Sequence, residues 1–198
     1  MLKKVLFILP MIINFSLADY SNMIKPVIEL SIEGGGDELV TIDHLYDGDY
    51  TIDAGDGLNM AMGMSIYNPI NNFETQLSVG YKFDTDSASN GDVTWSMIPI
   101  NALGFYTIPH WRFGGGLTYH VSPKLRSILD TSRFTDDFEN ALGAIVQIQY
   151  EPFNFMSIGL RGTFIEYELK ADSSKKTNGN NLGLVLTFKF GGTQSRYR

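Results

Sequence analysis

The sequence predicts an all-β fold, an eight-stranded antiparallel up-and-down transmembrane β-barrel. Three observations predict it. Apolar and polar residues alternate with period 2 along most of the chain, as strands with two unlike faces require. Short connections rich in Pro and Asn take turns with long polar ones, the layout of a barrel whose two rims face different compartments. The first 18 residues carry the three-part form of a secretory signal peptide.

Composition narrows the choice further. The chain has 198 residues, no cysteine, a formal charge of -7 and 43% hydrophobic residues, with a mean hydropathy of -0.05. That length suits one domain with an adequate core. Disordered chains and disulfide frameworks do not have this composition. An acidic balance, with a pI near 4.9, excludes the basic footprint of a nucleic-acid binder. Beyond the N-terminal segment no run of 18 apolar residues occurs, which excludes a polytopic helical membrane protein.

Lys3 and Lys4 form the cationic start of the signal, Val5 to Phe15 its apolar stretch, and Ser16-Leu17-Ala18 its small-residue cleavage site. Cleavage is expected after Ala18, leaving 19–198 as the barrel domain. Removing 1–18 takes two lysines and no acid, so 13 basic and 22 acidic residues remain, a net of -9.

The first strand lies near 26–34, with Ile28, Leu30 and Ile32 set against Glu29, Ser31 and Glu33. In 58–67 the even residues are large and apolar, the odd ones Asn59, Ala61, Gly63 and Ser65. In 73–83 Leu77, Val79, Tyr81 and Phe83 oppose Glu74, Gln76, Ser78, Gly80 and Lys82. Stretch 93–106 is ambiguous, because Pro99 and Asn101 interrupt one face and a strand proline marks a bulge or an edge. In 110–121 Trp111, Phe113, Leu117 and Tyr119 oppose Arg112, Gly114, Gly116, Thr118 and His120. Strands at 141–151, 155–167 and 182–190 alternate in the same way. Short periplasmic turns are expected near 68–72, 107–110 and 152–154, and long extracellular loops near 35–57, 84–92, 122–140 and 168–181. Within the first loop, Thr41-Ile42 and Thr51-Ile52 flank Asp47-Gly48, a hairpin pattern.

Alternation alone does not say which face points inward. The apolar face is rich in Leu, Met, Val and Ile and nearly free of charge, as lipid contact requires. The opposite face carries most of the strand glycines and eight charges: Glu29, Glu33, Glu74, Lys82, Arg112, Glu151, Arg161 and Lys189. An eight-stranded lumen is just wide enough for side chains to fill. The four acids and four bases are therefore expected to neutralise one another inside, in a charge network built on Glu29, Glu74, Lys82, Arg112, Arg161 and Lys189; for Glu33 and Glu151, at strand ends, an interfacial place is the alternative. Aromatics near strand ends (Tyr67, Phe73, Phe83, Trp95, Phe105, Tyr106, Trp111, Phe153, Phe155, Tyr167, Phe190) are read as interfacial girdles.

The segments GGGDELVTI (34–42), VGYKFDTDSASNGDV (79–93), WRFGGGLTYHVSP (111–123) and LGLVLTFKF (182–190) carry a family resemblance across nearly all the mature chain. The sequence resembles the uncharacterised Gram-negative outer membrane protein beta-barrel domain family, within the small eight-stranded outer-membrane barrels. The resemblance implies an integral outer-membrane location, contact with outer-membrane lipids and lipopolysaccharide, and folding by the barrel-assembly machinery. It also implies a monomer with no cofactor and no nucleic-acid partner. Such chains end on an aromatic assembly signal. Here Phe188 and Phe190 are the candidates, although eight residues follow Phe190.

Two constellations bear on chemistry. His120-Val121-Ser122 is similar to the catalytic pair of lipid A 3-O-deacylases, and i and i+2 share a strand face. Pro123 stands where that motif has Asn, however, and no acid stands out to orient the histidine. Segment 37–56 holds seven acids and no Lys or Arg. Asp47-Gly48-Asp49 resembles the start of a calcium loop, but the twelfth position is Leu58 rather than Glu, so no metal site is assigned. The leading expectation is a filled, non-enzymatic barrel with a structural or surface-interaction role. The alternatives are a lipid A-modifying hydrolase, or a narrow channel or carrier for small apolar molecules.

Overall fold

The computed structural model describes residues 24–44, 48–88, 91–129 and 132–191; the expected signal segment with Ala18 and the tail after Gly191 lie outside them. Strand β1 (Ile24–Gly34) leads into a hairpin of β2 (Glu38–His44) and β3 (Gly48–Asp53). Four strands follow with tight turns at one end: β4 (Gly57–Asn68), β5 (Phe73–Ala88), β6 (Gly91–Ile108) and β7 (Trp111–Leu129). The short β8 (Ser132–Asp137) folds back on β7 before β9 (Ala141–Phe153) and β10 (Met156–Phe164). A second small hairpin, β11 (Glu166–Leu169) and β12 (Asp172–Asn178), precedes β13 (Asn181–Lys189).

Eight of these strands form the wall, in the order β6-β5-β4-β1-β13-β10-β9-β7, and β6 pairs with β7 to close it. Every pairing is antiparallel. The first and last strands meet from Val27↔Lys189 to Gly34↔Leu182, and the Phe190 amide donates to the Pro26 carbonyl beyond that register at 2.9 Å. No sheet edge is left open in the wall, which is what a bilayer demands of strands.

The pleat sorts the side chains as the alternation predicts. Met60, Met62 and Met64 on β4, Leu77, Val79 and Tyr81 on β5, and Leu182 and Leu184 on β13 are exposed on the outer surface. Their neighbours Asn59, Ser65, Gln76, Lys82, Val185 and Thr187 are buried inside. Gly63 and Gly159 face the interior where a Cβ would sit 1.9 Å from the carbonyl oxygens of Leu77 and Ile148. Only glycine fits so close to the adjacent strand.

Stretch 93–106 is a regular strand, with Val93, Trp95, Met97, Pro99, Asn101, Leu103 and Phe105 all buried on the inward face; the irregularity lies in its partner. Ser96 pairs with Lys124 but Ile98 pairs with Val121, so β7 carries an extra residue, with Ser122 at φ 52°. This is a bulge. It sits between Pro99 and Pro123, which have no amide to give to the ladder.

Three of the expected long loops are largely strand, and the fourth is an extension of two wall strands. Segment 35–57 contains the β2–β3 hairpin, with Thr41 opposite Thr51; its turn at 45–47 lies outside the described residues. β5 and β6 run on through 84–88 and 91–92, β7 and β8 occupy most of 122–137, and β11–β12 fills 166–178. The extensions enclose an apolar core above the polar lumen: Ile52, Ala54, Val93, Trp95, Met97, Leu125, Phe138, Ala141, Ile165 and Tyr167. Trp95, Phe105 and Tyr167 are therefore corrected from girdle to interior, because all three have the inward parity of their strands and are fully buried. Tyr106, Trp111, Phe153, Phe155 and Phe190 do face outward near strand ends.

The lumen, its cap and its outer rim as a candidate functional site

Strand parity brings all six of the expected lumen charges to the interior, each almost fully buried. Glu33 and Glu151, the two strand-end acids, are buried inside with them and not interfacial; strand ends here do not coincide with the ends of the enclosed space. Near the turn end, four charges form a closed ring of alternating sign. Arg112 meets Glu74 at 2.8 Å, Glu74 meets Lys189 at 3.2 Å, Lys189 meets Glu151 at 2.5 Å, and Glu151 lies 3.7 Å from Arg112. The Arg112 guanidinium also sits 4.0 Å over the Phe105 ring, and Ser65 donates to Glu74.

Further up the barrel a second set is linear. Lys82 meets Glu33 at 2.7 Å, Arg161 lies 3.7 Å from Glu33, and Arg161 meets Glu29 at 2.5 Å. Glutamines join the two sets. Gln76 accepts from Arg112 at 3.2 Å and donates to Glu29 at 3.0 Å. Gln149 accepts from Arg112 and donates to Thr187, and Gln147 accepts from Arg161. Four acids thus meet four bases in a confined, low-dielectric space, where a lone charge is costly, and Lys25 of β1 is buried on the same inward face.

Over this network sits the cap. Lys82 donates at 2.6 Å to the Gly55 carbonyl, and the Trp95 indole donates at 3.0 Å to that of Ala54, so the base of the β2–β3 hairpin is tied down. Trp95 packs edge-on against Phe138 and Tyr167, with centroids 5.2 and 5.5 Å away. Burial raises the Tyr167 hydroxyl well above its ordinary value, which keeps it neutral among these rings. Sequence reasoning missed this apolar lid. Its signal was present in the apolar inward parity of Val93, Trp95 and Met97, which Pro99 and Asn101 farther along the same face interrupted.

His120 and Ser122 are not brought together. His120 points into the lumen and shares a 2.7 Å hydrogen bond with the Tyr167 hydroxyl. The bulge turns Ser122 to the exposed side, where its amide donates to Asn140. A serine nucleophile needs its base within hydrogen-bond reach, and the i, i+2 rule fails across a bulge. The carboxylates near the cap do not converge either: among the described residues no group of three His, Asp or Glu side chains is arranged to hold a metal ion. Phe188 and Phe190 both lie on the outward face of β13, Phe190 the more exposed.

No known protein-family profile matches the chain, and no curated protein sequence matches it. Solved structures do. Ail, the attachment invasion locus protein of Yersinia pestis, solved in complex with the heparin analogue sucrose octasulfate, superposes with a TM-score of 0.55 at 13% identity. The match covers 84% of this chain and 97% of that one. Neisserial surface protein A gives a TM-score of 0.47 at 12% identity over the same shares. The likeness to Ail is one of fold. Together with a closed wall whose outer surface is apolar and whose interior is charged, it makes this chain an integral outer-membrane β-barrel of the small eight-stranded kind.

Proposed function

We propose that the protein is a sealed, monomeric barrel with a structural or surface-interaction role, its turns in the periplasm and its hairpins outside the cell. The observation that carries this reading is the doubly filled interior: a network of ion-paired acids and bases in one half and an apolar core in the other. The long hairpins, with acids such as Glu38, Asp53 and Asp56 at the base of the first, are the surface available to an external partner. Export by the 1–18 segment with cleavage after Ala18, and recognition of Phe188 and Phe190 by the assembly machinery, complete the proposal.

The test is conductance. Wild-type protein, purified and inserted into planar bilayers, is expected to give no steady unit current, since open channels arise at about 16–18 strands. The same preparation should run as a compact, heat-modifiable band. Reproducible unit conductances would overturn the sealed reading in favour of a channel.

A further inference from the structure

The outward face of β6 and β7 changes character at one height. On β7 the outward residues from Trp111 to Val121 are mainly large and apolar, and on β6 Ile108, Tyr106, Ile100 and Ile98 match them. Ten residue steps at about 3.3 Å, tilted by about 40°, span about 25 Å along the membrane normal, the height of a barrel's apolar band. Immediately beyond it the cross-strand pairs become Ser96↔Lys124 and Thr94↔Arg126.

The row at Arg126 continues on both sides. Thr85 on β5 pairs with Thr94, their hydroxyls 3.2 Å apart, and Thr135 on β8 pairs with Arg126. One guanidinium is thus laid among three hydroxyls across four strands. Arg133 sits two pairs further out on the same face, opposite Ile128. Among the acids nearby, Asp137 is engaged by Lys124 at 3.1 Å, and Asp92 also pairs at the Ile128 level. Among the described residues Arg126 and Arg133 have no ion-pair partner.

Below this strip, in the apolar band, the wall is hollowed. Ala102 on β6 lies between Leu77 of β5 and Leu117 of β7. The small side chain leaves a groove of about 470 Å³ walled by Met64, Leu77, Ile100, Leu117 and Tyr119. A hydrocarbon groove under a cationic, hydroxyl-lined strip has the two-part chemistry of a phosphorylated lipid with a sugar head.

We propose that this strip and groove form a docking site for one phosphorylated glycolipid of the outer leaflet, of lipid A chemistry. An acyl chain lies over Ala102, a phosphate is bound by Arg126 with Lys124 and Arg133 beside it, and Thr94 and Thr135 bond the sugar hydroxyls. A guanidinium suits this task because its fork of donors matches a phosphate. The proposal rests on the hairpin end facing the outside.

The experiment uses the full mature barrel folded in zwitterionic micelles, with lipid retention read by native mass spectrometry. The probes are bis-phosphorylated lipid A, its dephosphorylated form, phosphatidylglycerol, and excess inorganic phosphate as competitor. Wild-type protein should retain one bis-phosphorylated lipid A in preference to the other lipids, and excess phosphate should not displace it. Combined Arg126→Ala and Arg133→Ala should weaken retention by about tenfold or more, the size expected for lost charge-assisted bonds. Ala102→Phe should weaken it with the arginines intact. Heat-modifiable gel mobility, measured on every variant, separates loss of the site from loss of the barrel. Equal retention by wild type and the double arginine variant, equal retention of phosphatidylglycerol, or displacement by phosphate would each overturn the site. A barrel that inserts and seals yet lacks this preference would sink the docking site alone. A protein that never inserts would sink the membrane reading instead.

Discussion

Arg161 reaches across the lumen from β10 to Glu29 on β1, and its guanidinium also lies near Glu33. Truncation to alanine would strand a buried carboxylate, which typically costs about 3–5 kcal/mol. Glu38→Ala, in the exposed acidic segment, should leave the thermal midpoint near that of wild type. Midpoints measured by circular dichroism decide the matter, and equal tolerance of both changes would mean that Arg161 is solvated. Leu186 and Thr187 test the two faces side by side. Leu186→Arg places a cation at mid-membrane on the lipid side and should cost about 2–4 kcal/mol. Thr187→Arg should act by crowding, because Thr187 accepts from Gln149 inside the wall. Unfolding titrations in lipid vesicles would show the difference, and lipid-like collision rates for a spin label at 187 but not 186 would reverse the faces. Parity made the lumen charges legible from sequence, and only Glu33 and Glu151 stayed open to an interfacial place, because strand length does not reveal where enclosure ends. The shared face expected of His120 and Ser122 fails because one inserted residue changes parity without altering the local pattern.

At the scale of elements, the long connections were legible as long and polar but not as structured. Their apolar inward residues are few, far apart in sequence and supplied by different hairpins, so no single segment carries a strand signal strong enough to stand alone. The β2–β3 hairpin shows the balance of forces on such an extension. Trp95 and Lys82 hold its base, while its acids repel. Burial, then Asp56, Glu38 and Asp37, raise the Asp53 carboxyl above its ordinary value of 3.8. Burial and then Asp56 do the same for Asp84, whose Oδ2 has no hydrogen-bond partner. A raised folded-state pKa means that the folded form holds the proton more tightly. The stabilisation is then complete below 3.8 and is lost as pH rises through the raised values. Amide protection in 51–56, corrected for intrinsic exchange, should therefore fall as pH rises above the ordinary carboxylate value of 3.8. Asp84→Asn should flatten the dependence. A rise in protection with pH would reject this account.

For the whole molecule, the alternation, the loop rhythm and the charge inventory together specified an inverted barrel, while the cap and the pairing pattern required the folded wall. The pairing pattern has a consequence for how the protein comes into being. Of the four-membered ring, Glu74, Arg112 and Glu151 stand on β5, β7 and β9, and only Lys189 comes from β13. Until the last strand arrives, those three residues sum to one uncompensated negative charge. Glu29 on β1 likewise waits for Arg161 of the late strand β10. A sheet without β10 and β13 would carry net negative charge on its inner face, so the neutrality of these ion pairs belongs to the closed barrel alone.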